Sequence, residues 1–258
     1  LVTLSNLVGT ALGMVLTPIL TETISIPTVQ LIYGGLAAFS AILFVLLAKE
    51  TPPTPPGPAG SEVRALMLDG LKHALTVKPF LLYLFVSFVG LGIFNGVTTW
   101  VENIIRPRGF TPTDAGTLGA LMLVGGVLGA VVIPPFSDKQ RKRQPYILLG
   151  LILAIPGLLG VAFAASSELL FISAFAMGFF LVSTSPIGMQ YAAEVTQPTP
   201  EGTSNGLIQL FGQTSVAFVY IMEALKTSDG SFTPALLLAI GLLVVSALIV
   251  TQMKDPQK

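Results

Sequence analysis

Charged residues leave eight long stretches of this 258-residue chain empty: 1–21, 23–48, 79–101, 115–137, 144–167, 169–193, 202–222 and 230–253. Each is 21 to 26 residues long, and every Asp, Glu, Lys, Arg and His falls in the 71 positions between them. A helix needs about 20 apolar residues, at about 1.5 Å rise each, to cross roughly 30 Å of hydrocarbon. A charge at mid-bilayer costs about 2.5–3.5 kcal/mol even on the lenient insertion scale. The spacing therefore predicts eight membrane-spanning helices and an all-α membrane protein. A water-soluble enzyme is excluded first.

Composition narrows the chemistry further. Thirteen basic and thirteen acidic residues balance, and no basic stripe exists, so nucleic acid is not expected as a partner. With one His and no Cys, neither a His/Cys metal cluster nor thiolate chemistry is available. No catalytic residue, metal or cofactor is predicted, because no span carries an acid dyad or a nucleophile motif. The expected partners are the lipid bilayer and a small-molecule solute. The chain opens on Leu1 with no basic region ahead of the first apolar run, so no signal peptide is expected there, and upstream helices are expected to be missing.

Spans are expected at about 2–20, 28–48, 79–103, 113–136, 146–165, 169–192, 203–225 and 232–253. Between the second and third lies 49–78, opened by Pro52, Pro53, Pro55, Pro56 and Pro58 as an extended linker. It closes on a segment, Ser61 to Leu75, whose Leu68, Leu71 and Leu75 predict a short helix lying on the membrane surface. The domains are therefore 1–48, two helices; 49–78, the linker; 79–253, a six-helix bundle; and 254–258, a tail. Ten of the thirteen Lys and Arg lie in the linker, the 139–143 loop and the tail, which puts linker and C-terminus in the cytoplasm.

Polar side chains inside the spans are the candidates for function. Gln209 and Gln213 are four apart and share a helix face, as do Asn95 and Thr99; Asn6 lies in the first span. Such groups either hold helices together or line a cavity. Trp100 is expected as an interfacial anchor, and Gln190 and Tyr191 at an interface or a cytoplasmic exit. Gly9 and Gly13 are read as a close-packing face, and Pro186 as a kink or gate. Glu194 and Glu201 stand where they could pair with the basic loop in an inward-closed state. No acid occupies mid-membrane, which favours facilitated over proton-coupled transport.

Six helices after a cytoplasmic linker, with a basic loop between their second and third, resemble the C-terminal half of a major facilitator superfamily transporter. The eight spans would then be helices five to twelve of that fold. The loop Pro134-Pro135-Phe136-Ser137-Asp138-Lys139-Gln140-Arg141-Lys142-Arg143 is similar to the superfamily's cytoplasmic loop motif at Asp138, Lys139, Lys142 and Arg143, while Pro134 and Arg141 stand where glycines are usual. Such a loop, with Glu194, is expected to gate at the cytoplasmic rim. Met177-Gly178-Phe179-Phe180, Ser185-Pro186-Ile187-Gly188, Glu194-Val195-Thr196, Pro198, Glu201-Gly202, Ser204 and Gly206-Leu207 further resemble the feline leukaemia virus subgroup C receptor family, as does Ser5-Asn6 with Gly9, Gly13 and Pro18.

That resemblance implies transport of choline, ethanolamine or haem, and puts Gln213 where the family's eleventh helix offers a Gln to the substrate. Asn95 stands where choline-transporting members have an aromatic, and Leu7 where they have a Gln. An aromatic face holds a quaternary ammonium best. The expected function is transmembrane transport of a small organic solute by alternating access. The alternative is a non-transporting receptor or scaffold of the same fold.

Overall fold

A computed structural model describes residues 23–48 and 67–255, with Gly9, Leu12, Gly13, Leu16, Thr17, Leu20 and Thr21 before them. These residues fall in two compact units, one within Ser5–Val63 and the other within Arg64–Lys258. They contain no strand, and seven helical segments are long and apolar enough to cross a membrane. The expected span at 2–20 lies largely outside the described residues, as do Asn6, Pro18 and the proline-rich 49–66.

In the first unit, Gly9, Leu12, Gly13, Leu16 and Thr17 are helical, and Thr17 Oγ1 lies 2.9 Å from Tyr33 Oη. Helix α1 (Ile26–Leu47) starts where Ser25 accepts a hydrogen bond from the Thr28 N–H and Pro27 supplies a pre-set φ at the first turn. Val29 is its buried residue.

The second unit begins with the short helix α2 (Met67–Ala74), followed by α3 (Lys78–Ile105) and a 3-10 turn, Arg106–Arg108. Then come α4 (Pro112–Val132), α5 (Pro134–Gln140), α6 (Gln144–Phe163), α7 (Ser167–Val195), α8 (Glu201–Thr214), α9 (Ala217–Ala224) and α10 (Thr233–Gln252). Ends are set by local chemistry. Thr111 and Asp114 form a reciprocal capping box ahead of α4, and Ser166 caps α7. Arg108 closes the far end of α6, its guanidinium donating to the Val161 and Ala164 carbonyls at 2.6 and 3.0 Å.

Helix α7 is the centre of the unit. Its backbone is approached on one side by α4 and on the other by α6, and glycines make both approaches possible. A side chain at Gly129 would strike the Phe179 carbonyl, one at Gly178 the Met122 carbonyl, and one at Gly157 would sit 2.7 Å from the Met177 nitrogen. Small residues at a helix crossing let backbones meet where lipid offers no hydrophobic drive to associate.

Two spans differ from the expected single rods. The helix of the fourth span, α4, ends at Val132 just before Pro134 and Pro135, and the chain resumes as α5 after a break at Ile133. The span at 203–225 is split into α8 and α9, with Ser215 and Val216 between them. Pro186, in contrast, is carried inside an unbroken α7. The short helix α2 exists, but it docks on protein as well: Gly70 abuts Thr199 and Pro200, Thr199 Oγ1 donates to the Gly70 carbonyl at 3.1 Å, and Ala74 is fully buried. His73 is exposed, with its ring donating to the Gln197 carbonyl at 3.3 Å.

Candidate functional site

Polar side chains gather around the break between α8 and α9. Three weak helix formers within four residues, Gly212, Thr214 and Ser215, lead into it. The Thr214 hydroxyl bonds back to the Phe211 carbonyl at 2.6 Å, competing with the helix ladder. Hydrogen bonds there shorten to the three-residue spacing: Ser215 N–H reaches the Gly212 carbonyl, Val216 the Gln213 carbonyl and Phe218 the Ser215 carbonyl. Such discontinuous helices mark binding regions in secondary transporters.

Helix α3 holds this break from behind. Asn95 Nδ2 donates to the buried Ser215 hydroxyl at 3.5 Å, and Trp100 Nε1 donates to the Val219 carbonyl at 3.0 Å. Gly92 lies against the Phe218 ring and Gly96 against the Met222 sulfur. Trp100 is thus a bracing residue, half-buried with its ring 5.3 Å from that of Phe232.

Of the predicted cavity residues, Asn95 is joined to the break directly. Gln209 and Gln213 are both exposed on α8, and neither side-chain amide has a hydrogen-bond partner among the described residues. Gly202, Gly206, Gln209 and Gln213 follow one another at helical spacing, all exposed, and a side chain added at either glycine would meet open space. That stripe contains no apolar side chain, whereas Leu210, 61% exposed, and Phe211 lie beside it as a lipid-facing surface would. The Thr99 side chain is exposed with no bonded partner among the described residues, and Asn6 lies outside them.

A second constellation sits where the α5–α6 loop, the end of α7 and the segment after α10 converge. Arg143 is its hub. The guanidinium, 8% exposed, reaches Asp138, the Ser137 hydroxyl at 3.1 Å and the Glu194 carboxylate at 3.0 Å. Burial works against its charge, but hydrogen bonds and attraction from Glu194 and Asp138 together hold its pKa above the usual arginine value. Gln190 adds a 3.0 Å bond to Glu194. Asp255 accepts from the N–H groups of Arg143 and Gln144 at 2.7 and 2.8 Å, capping α6 from the other end of the sequence. Replacing Asp255 with Ala should lower stability by about 1 kcal/mol, read as a lower midpoint in detergent-phase thermal unfolding.

Glu194, then, pairs with the basic loop inside its own unit. Lys139 and Lys142, predicted alongside Arg143, are exposed and make no side-chain bond or ion pair among the described residues. Tyr191 is not at an exit: it is fully buried, donates to the Lys254 carbonyl at 3.2 Å and meets Tyr83 edge to face. Sequence reasoning missed Asp255 and Ser215. The only signals were an acid just past the last span and a run of weak helix formers.

Bundled apolar helices, a discontinuous span and a buried charge hub at a loop between spans describe a multi-pass membrane protein. The chain belongs to the Major Facilitator Superfamily, whose pattern matches residues 1–110 and 102–258. An uncharacterized protein of Archaeoglobus fulgidus is 31% identical over 226 residues, 87% of this chain and 99% of its own. The choline/ethanolamine transporter flvcr2b of Danio rerio is 26% identical over 266 residues, 94% of this chain and 55% of its own. Solute carrier family 49 member A3, also of Danio rerio, is 30% identical over 243 residues, 90% of this chain and 51% of its own. The chain spans about half the length of these two named relatives.

Proposed function

We propose that this protein moves a small polar organic solute across a membrane by alternating access, with 79–253 as one bundle and 1–48 as the last two helices of the other. The linker and the C-terminus face the cytoplasm in this reading, on the strength of the ten basic residues gathered there. The observation that carries it is the stripe ending in Gln209 and Gln213. An amide left without a partner in hydrocarbon costs several kcal/mol, so two of them on an exposed face require a wet cavity or a bound solute. The adjacent break gives that face a segment able to change its tilt. The chemistry is binding and conformational exchange, and a facilitative mode follows from spans without an acid at mid-depth.

Choline and ethanolamine, named for the relatives, are both small organic cations. Asn95 has its Nδ2 engaged by Ser215, leaving Oδ1 to accept a hydrogen bond. Both solutes can donate from a hydroxyl, but only a primary ammonium can donate from its charged end, so the preferred solute is ethanolamine-like. The test is radiolabelled ethanolamine counterflow in liposomes containing the full-length protein. Gln213→Ala should raise KM about 3- to 10-fold, the loss of one hydrogen bond, with folded yield unchanged. Absence of flux across a broad solute panel, with folding verified, would favour a non-transporting receptor.

A further inference from the structure

Arg141 occupies a backbone conformation that suits glycine. Its φ of 52° and ψ of 34° place it in the left-handed region at the end of α5, and it is the one non-glycine residue with positive φ among the described residues. The turn around it is tightly built. Arg141 N–H reaches the Asp138 carbonyl, Lys142 N–H the Ser137 carbonyl, and the fully buried Ser137 hydroxyl donates back to the Lys142 carbonyl at 2.7 Å. A glycine would make the same turn without strain. The arginine side chain is exposed and has no bonded partner among the described residues to offset that strain.

Its neighbours share that condition. Lys139 and Lys142 are exposed and unpaired among the described residues, whereas Arg143 is turned inward and consumed by Asp138 and Glu194. Three cations on a rigid turn therefore point away from the protein. The turn joins two spans, Pro112–Gln140 and Gln144–Phe163, so it lies at the surface of the bilayer. Phe136, one turn before it, is 56% exposed and supplies an apolar contact at the same level.

We propose that Lys139, Arg141 and Lys142 form a binding site for the headgroup phosphate of an anionic phospholipid. A phospholipid satisfies both halves of the surface, the phosphate meeting the cations and the acyl chain meeting Phe136. A basic cluster beside a span attracts anionic lipid by charge alone, and the preformed turn sharpens that attraction into a site. Retention of Arg141 against its backbone preference is then the local cost of lipid recognition.

The test uses the purified full-length protein in non-ionic detergent, with thermal unfolding followed on adding phosphatidylglycerol, phosphatidylcholine or sodium phosphate at matched ionic strength. Phosphatidylglycerol should raise the midpoint by about 3 °C or more, and the other two should not. Arg141→Gly should start from a higher midpoint than the unmodified protein and lose most of the phosphatidylglycerol-dependent rise. Arg141→Gln should lose the rise without the higher start. Lys139, Lys142 and Arg143 remain in both variants to fix insertion. An undiminished rise in either variant, or an equal rise with phosphate or phosphatidylcholine, would overturn the proposal. Because the readout is stability in lipid, the outcome is independent of whether the protein transports a solute.

Discussion

Replacing Gly129 with valine is expected to abolish the monodisperse peak of folded protein in detergent size-exclusion chromatography. The added atoms would strike the Phe179 carbonyl, and the nearest relief is separation of two whole helices. Overpacking costs about 1–3 kcal/mol where side chains can give way, and more where the obstruction is backbone. Gly178→Val should do the same from the opposite side, against Met122. Gly241→Ala, on an exposed face of α10 with open space around it, should change stability by no more than about 1 kcal/mol. Equal tolerance at all three positions would refute the close α4–α7 approach.

Loss of Arg143 is the second large effect. Arg143→Gln leaves the Glu194 carboxylate, 18% exposed, without its cation. Removing one partner of a buried pair costs about 3–5 kcal/mol; with Asp138 63% exposed and free to hydrate, about 2–4 kcal/mol is expected. Arg143→Lys should recover only part of it, since an ammonium lacks the fork that spans Ser137, Asp138 and Glu194. Adding Glu194→Gln to Arg143→Gln should restore stability relative to the single variant, because the stranded charge is then gone. A double variant less stable than the single one would show that the pair is not the unit that matters. The readout is the thermal unfolding midpoint in detergent.

Span positions were legible because a single strong force sets them. The cost of a charge in hydrocarbon puts Lys78 and Glu194 at or near helix ends, and the observed Lys78–Ile105 and Ser167–Val195 follow the uncharged stretches 79–101 and 169–193. What the charge pattern does not report is anything decided by tertiary contact. The break at Ser215 needs Asn95 and Trp100 behind it, and α7 runs through Pro186 without ending. The basic loop was legible as a loop, but not which of its four cations turns inward. That depends on where Glu194 and Asp255 arrive from distant parts of the chain. The polar stripe was half legible: the spacing of Gln209 and Gln213 gives a shared face, and only the structure adds Gly202 and Gly206 to it.

The glycine seats between α4, α7 and α6 also have a mechanical consequence. Where carbonyls of one rod rest against bare backbone of the next, sliding by even a fraction of a turn would drive side chains into peptide groups. These three rods are therefore expected to resist sliding past one another. Any bending of the bundle is then expected at an interrupted rod, such as the one broken at Ser215, rather than between these three.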